Sequence, residues 1–249
     1  MTAGSAWNKY TPLRQPSYPP AENGRSIERL MTYSPDVAAT SEPMRFSPFT
    51  PADADEMTRV LAEAFTKGDP PAIAVGLTLP EFEGLVRLFC PKAAAESLTI
   101  VARSVETGEM CGALLAEDSA STPPAGIVEL SEKFDPIFDI LSELYDEYRP
   151  ESVPPPGESM HLFLLGVAPK YAGKGIAKRL VTECLANGVR KEYRVAVTEA
   201  TSRTSQHVFR EQGFVARVHG SYADHRFDGR AVFASIAGHG GPILMDKQW

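Results

Sequence analysis

Leu164-Leu165-Gly166-Val167-Ala168-Pro169-Lys170-Tyr171-Ala172-Gly173-Lys174-Gly175-Ile176-Ala177 is the most informative stretch of this 249-residue chain. An apolar strand, His161 to Val167, runs into a turn, and Gly173 and Gly175 open a helix that continues to Val189 with Ile176, Leu180, Val181 and Cys184 facing inward. Residues without a Cβ let backbone N–H groups converge on an anion. A helix N-terminus adds unpaired donors and a partial positive charge. Lys170 and Lys174 add full charges, so the segment Leu165 to Ala177 suits a pyrophosphate. It is neither a dinucleotide fingerprint, which needs a third glycine and a later acidic residue, nor a P-loop, which ends Gly-Lys-Ser/Thr.

The elements on either side alternate between sheet and helix. Met44-Arg45-Phe46 reads as a short strand. Thr50 caps a helix with Pro51 in its first turn, and Met57, Val60, Leu61, Ala64 and Phe65 recur at helical spacing until Gly68-Asp69-Pro70-Pro71 stops it. A second helix covers about Pro80 to Phe89. Strands Leu98 to Arg103 and Met110 to Ala116 flank Glu106-Thr107-Gly108 as a hairpin. An acidic, proline-flanked insert, 117–157, holds a helix with Phe134, Ile137, Phe138, Leu141, Leu144, Tyr145 and Tyr148 in one stripe. Its acidic faces are either solvated or an acidic wall near an amine-binding cleft. Arg194 to Glu199, Phe214 to Val218 and Ile243 to Lys247 read as strands, and Ser202 to Gln212 as a helix closed by Gly213. The order predicts an α/β layered sheet of mixed direction. Residues 1–42, with Pro12, Pro16, Pro19, Pro20 and Pro35, read as an extension, partly disordered or surface-wrapped, and residues 43–249 as one domain.

Composition narrows the function classes. A net charge of -7 argues against a nucleic-acid binder, because phosphate contacts need clustered Lys and Arg. The three cysteines, Cys90, Cys111 and Cys184, are far apart in apolar runs, which fits small core residues in a reducing, cytoplasmic setting. The chain has no apolar run of about 18 residues that would cross a membrane, and no secretory signal pattern at its start. The five histidines show no metal-ligand spacing, so no metal is expected.

Two ordered motifs resemble the GNAT superfamily of N-acetyltransferases. Val167-Ala168-Pro169 followed by Lys170-Tyr171-Ala172-Gly173-Lys174-Gly175 is similar to that family's Gln/Arg-x-x-Gly-x-Gly/Ala turn, with Lys in first place. Val195 to Ala200 through Gly213-Phe214 is similar to its second signature. The resemblance implies the GNAT fold, a mixed and mostly antiparallel sheet with helices on both faces and a splayed strand pair that holds acyl-CoA. It implies a cofactor site at Leu165, Gly166, Val167, Lys170, Tyr171, Ala172, Gly173, Lys174, Gly175, Ile176 and Ala177, completed by Ser202 and Phe209. A backbone N–H near Val167 would polarise the thioester carbonyl. Many members place a proton-donating Tyr where this chain has Phe209.

A closer resemblance is to the insect arylalkylamine (dopamine) N-acetyltransferases. Phe65-Thr66-Lys67-Gly68-Asp69-Pro70 looks like their acidic segment, and Thr201 and Ser205 match two hydroxyl positions. This implies Asp69 as a base, and Ser205 and Thr201 as proton-handling hydroxyls stacked one helical turn apart. Glu63 and Glu199 are rival carboxylates, and His225 and His239 lie in a loop that often borders the acceptor pocket. The expected reaction moves an acetyl or short acyl group from acetyl-CoA to a small primary amine, without metal, nucleic acid or membrane, in a monomer or homodimer. The alternatives are a protein or peptide N-acetyltransferase and a degenerate CoA-binding sensor.

Overall fold

The computed structural model describes residues 43–148 and 155–249. The extension 1–42 and the segment 149–154 of the acidic insert lie outside the described residues. Seven strands form one sheet: β1 Met44–Pro48, β2 Ile100–Ser104, β3 Met110–Asp118, β4 Ser159–Val167, β5 Val195–Ala200, β6 Val215–His219 and β7 Ile243–Gln248. Their spatial order is β1-β2-β3-β4-β5-β7-β6. Only the β4–β5 pair is parallel. Helices α1 Ala54–Gly68, α2 Pro70–Ala74, α3 Leu79–Glu96 and α4 Asp135–Tyr148 cover one face, and α5 Ile176–Arg190 and α6 Arg203–Glu211 cover the other. The expected α/β sheet with helices on both faces is therefore the observed one.

Local chemistry explains where the elements begin. The Thr50 side chain and backbone both donate to Asp53 Oδ2, at 2.7 and 2.8 Å, so the cap starts a single 3-10 turn, Pro51–Asp53, that leads into α1. Gly108, at φ +73°, turns the β2–β3 hairpin. Asp69 ends α1 but also caps α2, a short helix that the proline pair had hidden: its Oδ2 accepts from Ala72 N at 3.1 Å. Helix α3 runs seven residues past the expected Phe89 and through Pro91. Buried Ala93 and an ion pair from Lys92 to Glu117 anchor that last turn despite the proline. Strand β3 also extends further than expected. Glu117 and Asp118 pair with His161 and Met160, so the insert leaves the sheet after Asp118.

Two departures from regular pairing shape the middle of the sheet. Opposite β3, Leu115 faces Leu164 and Ala116 faces Leu162, so Phe163 is an inserted bulge residue. Opposite β5, pairing stops at His161↔Val197. Beyond that point Leu162 O is served by a side chain, Thr198 Oγ1 at 2.9 Å, and the β4 edge from Leu164 to Val167 separates from β5. Helix α1 seats against this part of β4 because Gly166 has no side chain: a Cβ there would lie 2.8 Å from Leu61 Cδ2 and 3.1 Å from Ala64 Cβ. Helix α4 is tied across the sheet end by Tyr148 Oη, which donates to Asp246 Oδ2 at 2.8 Å.

Gly166→Ala should force α1 away from β4 and destabilise the chain by about 1–3 kcal/mol, read as a lower urea midpoint with an unchanged slope.

Candidate active site

A cavity of about 400 Å³ opens where β4 and β5 separate. Its walls come from both faces of the sheet. Phe65, Phe82, Phe134, Phe138 and Phe163 supply an aromatic side, Leu162 to Val167 the strand edge, and Thr198, Glu199, Thr201, Ser202, Ser205 and Phe209 the opposite bank. Ala172 and Ala177 mark its far end beside the glycine turn. Leu165, Gly166, Val167, Ala172, Ala177, Ser202 and Phe209 of the sequence-derived cofactor set are thus brought to one space.

The turn itself has the form a phosphate cradle needs. Gly173 and Gly175 take φ of +76° and +74°, Gly175 caps α5, and a Cβ at either would meet no atom within 4 Å. Lys170, Gly173, Lys174 and Gly175 are exposed, while Tyr171 and Ile176 are buried beneath them. Lys170 and Lys174 hold their ammonium groups 5.2 and 4.9 Å from the Tyr171 ring centre. Lys170 also donates to Glu109 Oε1 at 2.5 Å, so part of its charge is already answered within the fold. Phe209 is buried against Phe214, ring centres 5.0 Å apart, and offers no hydroxyl.

Asp69 and Thr201 meet, although 132 residues separate them. Thr201 Oγ1 donates to Asp69 Oδ1 at 2.5 Å, and the Thr201 carbonyl accepts from Tyr222 Oη at 2.7 Å. Burial pushes the Asp69 carboxyl up to about 6, against the lowering effect of its bonds from Thr201 and Ala72 N. Ser205 shares the cavity but is not stacked on Thr201 by a helical turn. Thr201 precedes α6, whose cap is Ser202, and Ser205 belongs to the capping box: its Oγ donates to Ser202 O at 2.9 Å and accepts from Ser202 N at 3.1 Å. Glu63 pairs with Lys67 on the surface, whereas Glu199 lines the cavity.

His161 is the residue that sequence reasoning passed over. It lies buried between two carboxylates, Nε2 at 2.8 Å from Glu199 Oε2 and Nδ1 at 3.1 Å from Glu117 Oε1. Glu117 in turn pairs with Lys92. Burial alone would lower the imidazole, but the two carboxylates outweigh it and raise it to about 10, while His161 in turn holds both carboxyls below their ordinary value despite burial. The one polar side chain within the otherwise apolar run 160–167 was the available signal. The helix α4 does not present an acidic wall here. It turns Phe134's neighbours Ile137, Phe138 and Leu141 to the cavity, and Asp139 and Glu143 face His225 instead, at 3.6 and 3.2 Å. His225 and His239 are not among the lining residues.

Residues 155–225, which span β4, the glycine turn, α5, β5, α6 and β6, match a family profile described as "Acetyltransferase (GNAT) domain". That stretch is similar to the GNAT acetyltransferase domain. No curated protein matches the chain in sequence. Among solved structures, the chain superposes on the C-terminal condensation domain of Ebony in complex with beta-alanyl-dopamine, with a TM-score of 0.74 and 16% identity over 84% of this chain and 100% of that one. Arylalkylamine N-acetyltransferase 2 from Aedes aegypti gives 0.66 at 22% identity, covering 82% and 98%. The Drosophila melanogaster polyamine N-acetyltransferase gives 0.65 at 18%, covering 83% and 100%. At these identities the likeness is one of fold, and it extends over more than four-fifths of the chain.

His161→Leu should leave two buried carboxylates without their shared cation and cost about 3–5 kcal/mol of stability near pH 7. The raised imidazole stabilises the fold fully below about pH 6.5 and loses that contribution as pH rises through about 10. The carboxylates, held low, give up theirs as pH falls below their ordinary range near 4.5. Urea unfolding of both proteins across pH 3–10 should therefore show the largest gap between about pH 4.5 and 6.5, shrinking toward both ends.

Proposed function

We propose that this chain is an acyl-CoA-dependent N-acyltransferase whose acceptor is a small primary amine with an aromatic or alkyl body. The observation that carries the reading is the separated edge of β4, which leads from the glycine turn into a phenylalanine-lined cavity holding a buried carboxyl of raised pKa. The cavity volume is in the range of small-molecule sites. Helix α4 walls it with Ile137, Phe138 and Leu141, which favours a small acceptor over a peptide lying in an open groove.

The residues divide the work as follows. The α5 N-terminus and the backbone of Ala172 to Gly175 receive the pyrophosphate, and the unpaired β4 edge from Leu164 to Val167 offers backbone groups to the pantetheine arm. Acetyl-CoA supplies the activated acyl group. A backbone N–H of that edge polarises the thioester carbonyl. Asp69 takes the proton that the acceptor ammonium must lose before its nitrogen attacks, directly or through water, and Thr201 fixes the carboxyl in place. Ser205 is the hydroxyl at hand to return a proton to the departing thiolate. Phe209 keeps the sulfur end of the arm dry.

Three measurements test this. Thiol release from acetyl-CoA should occur with arylalkylamines and other small amines; tight CoA binding without turnover on any amine would point to a CoA-binding sensor instead. Gly173→Leu and Gly175→Leu should abolish most CoA affinity while the fold survives, since their Cβ atoms enter open space and only the left-handed backbone, at about 1–2 kcal/mol, is strained. Retained affinity would move the phosphate site elsewhere. In wild-type protein kcat/KM should rise through about pH 6 as Asp69 ionises. Asp69→Ala should lower it by about 10²–10⁴-fold at neutral pH and by less at high pH, where free amine is abundant; a pH-independent loss would remove Asp69 as the base.

A further inference from the structure

Outside the cavity, α4 and the loop between β6 and β7 bring together three side chains that could ligate a metal ion. Asp139 and Glu143 lie one turn apart on the same face of α4. His225 closes on them from the loop, 82 residues beyond Glu143. Its side chain is 1% exposed, and Phe233 packs beside the ring with centres 5.5 Å apart. Backbone bonds fix the loop at this point. His225 N donates to Ser221 O at 3.1 Å, and Arg226 Nη1 donates to the carbonyls of Ala223 and His225. The imidazole is therefore held in one orientation between two carboxylates.

The two ring nitrogens are not equally served. Nδ1 lies 3.2 Å from Glu143 Oε2, and because an ionised carboxylate only accepts, Nδ1 carries the proton of that bond. Nε2 is buried and has no hydrogen-bond partner, with Asp139 Oδ2 at 3.6 Å. In the neutral ring this nitrogen turns its lone pair toward a second carboxylate, so two acceptors face each other. Their separation is too long for a hydrogen bond. It is close to the spacing of two ligand atoms on one tetrahedral ion, since bonds of about 2.0–2.2 Å put such atoms about 3.4 Å apart. The approach is from the carboxylate side: the Asp139 side chain is 25% exposed and that of Glu143 57%. Among the described residues, the ion pairs of both carboxylates run to His225 and to no lysine or arginine.

We propose that Asp139, Glu143 and His225 form a binding site for a divalent cation of the zinc class. His225 Nε2 and the Asp139 carboxylate are its ligands, and water completes the shell. Glu143 holds the ring through Nδ1, the arrangement that fixes the tautomer and orientation of a metal-bound histidine. An ion of charge +2 balances the two carboxylates. A nitrogen ligand beside a carboxylate selects zinc and its first-row neighbours over magnesium and calcium, which take oxygen ligands. The expectation of no metal rested on histidine spacing along the chain, which cannot show a pairing across 82 residues. The ion clips α4, which walls the cavity with Ile137, Phe138 and Leu141, to the loop whose Tyr222 Oη donates to Thr201 O. Its role is to hold that wall, and the proposal does not rest on the acyltransferase reading.

The test uses the full, untagged chain, stripped with a chelator and titrated with zinc ion by equilibrium dialysis, with excess magnesium as competitor. Thermal unfolding is followed in parallel. Wild-type protein should bind one zinc ion per chain, keep it against magnesium, and unfold at a higher temperature with zinc than without. Glu143→Gln should weaken binding by about 10–100-fold, as loss of the partner that orients a ligating histidine does. His225→Leu and Asp139→Asn should lose at least as much, together with the zinc-dependent rise in unfolding temperature. No zinc bound by wild-type protein, or equal displacement by magnesium, overturns the proposal. Zinc bound with unchanged affinity by His225→Leu and Asp139→Asn overturns it too, because the ion then sits elsewhere on the chain. Should His225→Leu fail to fold, Asp139→Asn, at a partly exposed position, decides alone: lost affinity supports the site and unchanged affinity overturns it.

Discussion

Strands β4 and β5 run parallel for three pairs and then part. Two local features accompany the parting. Phe163 is inserted as a bulge, which adds twist to β4 just past His161, and Thr198 Oγ1 takes the place of a backbone donor at Leu162 O. A strand edge left open inside a sheet is normally a defect, because its N–H and C=O groups go unpaired. Here the edge from Leu164 to Val167 faces a cavity and not bulk solvent, and it points toward the glycine turn that caps α5. Everything else in the site is arranged around that gap: α1 is drawn close by Gly166, α4 roofs it with aliphatic and aromatic side chains, and α6 presents its capped N-terminus to it.

The electrostatics of the cavity follow from which polar groups were left with partners. Its lining is mainly apolar, so each carboxyl inside it is defined by its neighbours. Asp69 has hydrogen bonds but no buried cation, and desolvation dominates. Glu199 has His161, and attraction dominates. The same burial thus yields one acid poised near neutrality and one held ionised, a separation of the kind that lets two carboxylates serve different purposes in one site.

Much of this was legible before any coordinates. The β4–turn–α5 unit announces itself through an apolar run, a proline and two glycines that must sit at positive φ. The stripe on α4 and the hairpin at Gly108 follow from periodicity and turn chemistry. Element ends were less legible where tertiary contacts override local signals. Pro91 should have closed α3, but Lys92 and Ala93 hold its last turn in place. Glu117 looked like the start of a polar insert, but its partners, His161 and Lys92, are 44 and 25 residues away. For the same reason the role of His161 was hidden: its place in an apolar run marks it, but nothing in its neighbourhood along the chain says that two carboxylates will close on it. The meeting of Asp69 with Thr201 could be anticipated only through resemblance, and the capping role of Ser205 emerges only once α6 is seen to start after Ser202.

The central claim is that the open edge of β4 and the start of α5 together receive acyl-CoA. Amide hydrogen exchange with and without CoA tests it directly. Slowed exchange concentrated in residues 164–167 and 172–177, with the β3-paired amides of the same strand little changed, is the predicted result. Protection confined to other parts of the chain, or none at saturating CoA, would contradict it.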